Sequence, residues 1–230
     1  MNKIPSKYFD FNTSEKFQDK YISEYTGWNS LLIAKIEIKK GLSFNDNFIN
    51  SKYSDLKEKQ KIFVIIKGSV KTKYGSSNLL LKEFDAIDFI SSQQTYEMQS
   101  LEDSILFMIS AKNLESQSGK PVFFNFIKDI KSKNLWGGQI ISRPYEGPGL
   151  TLVLFDLKPG FKFEDKGHPN EQITWLISGK MDFYANGKHK TLNSKVGVDI
   201  GPNHLHGGVS GGAVGFDAFF PKREEKKYKN

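Results

Sequence analysis

The chain has 230 residues, 38% hydrophobic and 13% aromatic, enough for a packed core rather than disorder. It has no cysteine, which excludes disulfides, thiolate catalysis and cysteine-type zinc sites and leaves His, Asp, Glu and Gln as ligand types. The net charge is +7, but the lysines are spread along the chain, denser only at Lys57, Lys59 and Lys61 and over Lys222–Lys229; a nucleic-acid binder would gather them into one patch, so no nucleic-acid partner is expected, while the charge suits an anionic small molecule.

Residues 1–27 are polar and aromatic without alternation and read as an N-terminal arm. The first ten residues lack the apolar stretch of a signal peptide, and no run approaches the roughly 18–20 apolar residues of a membrane helix. A membrane partner is therefore not expected, and cytoplasmic residence is. From Trp28 the pattern turns to strands. Leu31–Ile38, Ile62–Ile66 and Ser69–Tyr74 are followed by the turn Gly75-Ser-Ser-Asn, then by Ala86–Ile90 and Ser104–Ile109. Such spacing predicts a β-sandwich or barrel over 28–111. Residues 112–135 read as a connector, with a loop over Asn113–Pro121 and a short helix over Phe123–Lys133.

The β pattern then repeats over 136–226, before a tail at 227–230. Gly160-Phe-Lys-Phe matches Gly41-Leu-Ser-Phe, and Trp175-Leu-Ile-Ser-Gly-Lys matches Val64-Ile-Ile-Lys-Gly-Ser. A constant offset of 111 carries Gly68 to Gly179, Leu81 to Leu192 and Phe89 to Ile200, with about eight extra residues in the first copy within 43–60. This is the signature of a diverged duplication.

The chemistry concentrates in the second copy. The four histidines are His168, His189, His204 and His206. Gly160 is followed by Lys166-Gly-His168, then Gln172 and Gly179; further on comes Gly201-Pro-Asn-His204-Leu-His206. This resembles the two-part cupin motif: a glycine, His-x-His, Glu or Gln and a glycine, then Pro-x-Gly-x-x-His. The resemblance implies an all-β fold of two tandem double-stranded β-helix (jelly-roll) barrels, a bicupin, with ligand positions at Lys166, His168, Gln172 and His206. The second part lacks its glycine, and His206 comes one residue early after Pro202. Residues 166 and 168, two apart on a strand, would face one side; Gln172 would begin the next strand and His206 would end one. Imidazoles and an amide oxygen suit a divalent first-row metal such as Zn, Fe, Mn or Ni.

Lys166 stands where the family has its first histidine. Three readings stay open: metal held by His168, Gln172 and His206; His204 turning in as a substitute ligand; or no metal, with Lys166 as a charge anchor or acid/base group. The first copy has no histidine. The offset of 111 places Lys57, Lys61 and Thr95 at the positions of His168, Gln172 and His206, and aligning Gly41 with Gly160 places Ile49 and Tyr53 at those of His168 and Gln172. The first copy is expected to be structural.

Asp217-Ala-Phe219-Phe-Pro221-Lys-Arg223-Glu224 resembles the ending of the pectin- and alginate-pathway cupins that linearise unsaturated uronates. It is also similar to the bacilysin-pathway bicupin isomerase. The resemblance, over roughly 136–226, implies site roles for Asp217, Phe219 and Arg223. It implies a small-molecule isomerase or lyase acting on an anionic sugar acid or keto acid. Such proton transfer needs a base, a cation for the carboxylate and a group that polarises an oxygen. Asp217 could be the base, and Arg223 or Lys166 could hold the carboxylate. Arg143 and Trp175 are further candidates for substrate contact. His189 reads as a surface hairpin residue. A non-catalytic small-molecule binder and a metal-dependent dioxygenase are the competing classes. Barrel edges are compatible with a homodimer.

Overall fold

A computed structural model describes the chain except residues 1–5, 12–14, 19, 27–30, 57–58, 91–94, 113, 116–118 and 224–230. Trp28, Lys57, Glu224 and the tail 227–230 thus lie outside the described residues. The described residues form twenty strands and one seven-residue α-helix, an all-β jelly-roll fold. The chain divides into two compact units, one of residues 11–26 and 32–129, the other of residues 1–10, 27–31 and 130–230.

In chain order the strands are β1 Lys7–Asp10, β2 Glu15–Phe17, β3 Lys20–Thr26, β4 Leu31–Ile38 and β5 Ser43–Asn45, then the helix α1 Asp46–Lys52. There follow β6 Lys61–Lys67, β7 Val70–Tyr74, β8 Ser77–Leu81, β9 Asp85–Phe89, β10 Tyr96–Ser100, β11 Ser104–Ala111 and β12 Val122–Asn125. Residues 130–230 contribute β13 Lys133–Leu135, β14 Ile140–Glu146, β15 Thr151–Leu157, β16 Lys162–Asp165, β17 Glu171–Ala185, β18 Lys188–Leu192, β19 Val196–Ile200 and β20 His206–Phe220.

In the first unit, a sheet β5-β10-β7-β8 and a sheet β12-β9-β6-β11-β4-β3-β2 enclose a core that includes Phe44, Phe48, Phe63, Phe89, Tyr96 and Met98. In the second unit one sheet runs β1-β19-β17-β20-β15-β14-β13, with β16 also on β20 and β18 also on β17. The fifteen-residue strands β17 and β20 serve both halves of that sheet. Their register shifts between Leu176 and Ser178 and between Gly179 and Met181, where the sheet bends back on itself. Gly179 makes the bend possible: its φ is +77°, and a Cβ there would collide with the carbonyl oxygen of Gly212. Gly68, at φ +85° and against Ser104, does the same in the first unit, 111 residues earlier. The interior of the second unit includes Phe155, Leu176, Met181, Phe183, Val198 and Ile200.

Two expectations change. The N-terminal segment is not one free arm, because β1 pairs antiparallel with β19, covering its edge. Tyr8 donates to the carbonyls of Phe183 or Lys188, both 3.0 Å away, and Phe9 lies over Gly197, where a Cβ would meet its ring. The helix expected over 123–133 is absent. Val122–Asn125 is a strand on β9, with Phe124, Asn125 and Phe126 buried. It ends in a turn where Asn125 Oδ1 accepts from the Ile127 and Lys128 amides and Asp129 Oδ2 accepts from Asn125 N. Local side-chain bonds of this kind compete successfully with a helix.

Candidate functional site

Strands β17 and β20 pair with Gln172 opposite Phe219 and Thr174 opposite Asp217. Residues opposite one another in a sheet share a face, and alternate residues share it along each strand. These four therefore point to the interior, as do Val198 and Ile200 in the same rows on β19. Trp175 and Arg143 belong to the intervening row, Arg143–Leu154–Phe216–Trp175, and so face the other side of the sheet. Trp175 stacks on Phe216 at 5.5 Å there. Their expected contact with a ligand in the interior is corrected by register, since one step along a strand reverses the face.

Strand β16 ends at Asp165, directly opposite His206, which begins β20 rather than ending a strand. The expected shared face of Lys166 and His168 does not form. Gly167 takes φ +107°, packed against the Asn203 backbone, so alternation stops at Asp165. Lys166 is turned to solvent, while buried His168 approaches Asp165 and His206. Lys166 therefore stays outside the cluster, and Asp165, one residue earlier, joins it.

Asp165, His168 and His206 each offer a donor atom within 4.8 Å of the others. The rings of His168 and His206 stand edge to face at 5.4 Å, and Phe219 packs against His168 at 5.5 Å. His168 Nε2 and Gln172 Oε1 are 2.8 Å apart. The Gln172 amide nitrogen donates toward Asp217 Oδ1 at 3.0 Å and Thr174 Oγ1 at 2.9 Å, and the Thr174 hydroxyl donates to the same Asp217 oxygen at 2.6 Å. Arg223 Nη2 lies 3.4 Å from Asp165 Oδ2, and its guanidinium sits 4.9 Å from the centre of the Phe219 ring. His204 is buried, but its ring does not join the cluster: Nδ1 is 2.9 Å from Ser6 Oγ, and its carbonyl accepts from His206 Nδ1 at 2.9 Å. That bond leaves His206 Nε2 available. His189 is exposed in the β17–β18 hairpin.

Burial, helped by the nearby Arg223 charge, pushes the His168 pKa down to about 4. Burial also lowers that of His206. Both rings are therefore neutral at neutral pH, as metal ligation requires. Burial alone would raise Asp165, but the Gly167 amide, the two imidazoles and Arg223 together bring it below its ordinary value. Asp217 goes the other way: desolvation raises it to about 6, against hydrogen bonds from Thr174 and Gln172.

The donor set fits a divalent first-row metal. Two neutral imidazoles and a carboxylate converge, buried His168 Nδ1 has no hydrogen-bond partner among the described residues, and Gln172 Oε1 holds the other nitrogen of that ring. The spacing is close to the roughly 3–4 Å between donors that share an ion at about 2.0–2.2 Å. Sequence reasoning placed His168, Gln172, His206, Asp217, Phe219 and Arg223 here and missed Asp165, Thr174 and Ser6. The signal for Asp165 was Gly167 itself, since a glycine between two presumed ligands breaks the two-residue period.

No family model matches the chain, and no curated protein matches it. Solved structures do, over nearly its whole length. The protein Ylba from E. coli aligns with TM-score 0.73 and 10% identity, covering 98% of this chain and 96% of its own. An oxalate decarboxylase from Lactobacillus farciminis, solved as a formate complex, aligns with TM-score 0.71 and 10% identity over 93% and 86%. A cupin 2 conserved barrel domain protein from Leptotrichia buccalis aligns with TM-score 0.65 and 12% identity over 95% and 98%. At such identities the likeness shows the fold, which is of the cupin type, and fold alone does not fix chemistry.

Proposed function

We propose that the second unit is the working site of a small-molecule isomerase or lyase acting on an anionic sugar acid or keto acid, with a divalent metal held by Asp165, His168 and His206 and bordered by Gln172. One observation carries this reading. A metal-type donor cluster, a guanidinium and a carboxylate that protonates near neutrality meet in one interior.

When bound, the metal would supply Lewis-acid polarisation of a substrate oxygen. The chain supplies the rest. Arg223 lies beside the cluster, over the Phe219 ring, and is suited to hold a carboxylate through two N–H groups. Asp217, with a pKa of about 6, can accept a proton from carbon next to a carbonyl and return it at a neighbouring position. Thr174 and the Gln172 amide hold its Oδ1 and leave Oδ2 for the proton. Phe219 covers one side of His168 and excludes water there. Asp165 and Arg223 have side chains 30% and 21% exposed, which makes theirs the solvent-facing side of the cluster.

The test is proton exchange. Metal-loaded protein is mixed with uronic acids and 2-keto acids in deuterated water and followed by NMR. Deuterium entering next to the carbonyl, and lost in Asp217→Asn, supports the reading. Tight binding without exchange or product would replace it with a non-catalytic binder. Oxygen consumption that stops on iron removal would replace it with a dioxygenase.

A further inference from the structure

The two units can be superposed by their own hydrogen bonds. In the first, Gly41 N donates to Ser100 O and Ser100 N to Leu42 O; in the second, Gly160 N donates to Ser210 O and Ser210 N to Phe161 O. From these anchors both strand pairs run in step. Phe44 faces Met98 and Asn45 faces Glu97, as Phe163 faces Gly208 and Glu164 faces Gly207. One further step puts Asp46 and Tyr96 at the places of Asp165 and His206. On the other sheet, Lys61 faces Phe89 and Ile62 faces Asp88, as Gln172 faces Ile200 and Ile173 faces Asp199. Thr72 faces Met98 as Phe183 faces Gly208. The offset is 119 before the insertion, 111 from Lys61 to Phe89 and 110 from Tyr96 to Ser100; the difference of eight residues between the first two falls between Asp46 and Lys61, where α1 lies.

The first unit therefore retains three positions of the frame with changed occupants, Asp46 for Asp165, Tyr96 for His206 and Lys61 for Gln172, while the counterpart of His168 falls within the insertion. Lys61 shares its strand face with Phe63 and Ile65 of the core and is 3% exposed. Asp46 and Tyr96 follow at the end of the β5–β10 pair, the Asp46 charge acts on both Lys61 and Tyr96, and the Lys61 ammonium also donates to the Lys59 carbonyl at 3.3 Å. Buried Tyr96 OH has no hydrogen-bond partner among the described residues. A lysine is not a ligand for a cation when protonated, and a neutral tyrosine is a poor one. The aromatic rings of Phe44, Phe48, Phe63 and Phe89 occupy the remaining interior.

We infer that the first unit carries a second copy of the site in which the buried Lys61 ammonium takes the place of the metal ion. The chain then has one exchangeable metal position, in the second unit, and a covalently supplied cation in the first. The inference uses the metal assignment of the second unit only as its template.

The test uses zinc as probe. In a His168→Ala/His206→Ala background, calorimetry and elemental analysis should find no tightly held zinc. Adding Lys61→Gln and Tyr96→His to that background should create one zinc equivalent that Asp46→Ala abolishes. Zinc retained by the background through Asp46 would overturn the inference, and so would a folded converted variant that takes up none. Nitrogen NMR of the wild-type Lys61 side chain at neutral pH gives a second reading that needs no variant to fold. An ammonium signal supports the inference, and a neutral amine overturns it. Wild type without zinc at His168 and His206 would instead count against the function proposed above, leaving the Lys61 reading intact.

Discussion

Replacing Lys61 by Met should stabilise the protein at neutral pH. The linear Met side chain keeps the volume and removes a charge from a site only 3% exposed. Desolvation lowers the Lys61 pKa from 10.5 to about 8, against the opposing pull of Asp46. At 1.36 kcal/mol per pH unit this is about 3 kcal/mol of unfavourable ionisation in the folded state. The sign follows from proton binding. The unfolded chain holds the lysine proton up to about pH 10.4, whereas the folded chain releases it near 8, so stability rises with pH between these values. Below about 8 the full cost is present, and above about 10.4 it is gone. Lys61→Met should thus raise Tm by about 6–12 °C at pH 7, taking about 2–4 °C per kcal/mol for a chain of this size. The gain should shrink steadily towards pH 10.5. Thermal melts by circular dichroism at pH 6, 7, 8, 9 and 10 measure this. A variant no more stable than wild type at pH 7, or a gain that does not vary with pH, would refute the burial of a charged lysine.

In the second unit, Asp165→Ala or His168→Ala should weaken zinc binding more than tenfold by titration calorimetry, whereas Lys166→Ala, at an exposed position, should leave it within twofold. Asp217→Asn keeps an oxygen to accept from Thr174 and Gln172, so Tm should not fall. Proton exchange in that variant should drop by about 10²–10⁴. Gly179→Ala should cost more than about 3 kcal/mol in urea unfolding because its Cβ meets the Gly212 carbonyl at positive φ. Gly187→Ala, at φ +79° with nothing within 4 Å, should cost only about 1 kcal/mol.

The sequence by itself determined the strand-rich character, the recurrence of glycine turns and several members of the candidate cluster. Alternation and glycine turns are local, and the offset from Gly68 to Gly179 is preserved because both glycines make the same bend in positive-φ backbone. His168, Gln172 and His206 were singled out by spacing, and the structure sets His168 Nε2 2.8 Å from Gln172 Oε1. Only the tertiary structure decided three things. Register sent Trp175 and Arg143 to the far face of the sheet, and register depends on partner strands that alternation along one strand does not reveal. The left-handed turn at Gly167 exchanged Lys166 for Asp165 in the cluster. The pairing of β1 with β19 brought Ser6 to His204, a contact across 198 residues that no local pattern encodes. Local patterns fix which residues turn or extend; which of them meet is set by packing between segments distant in the chain.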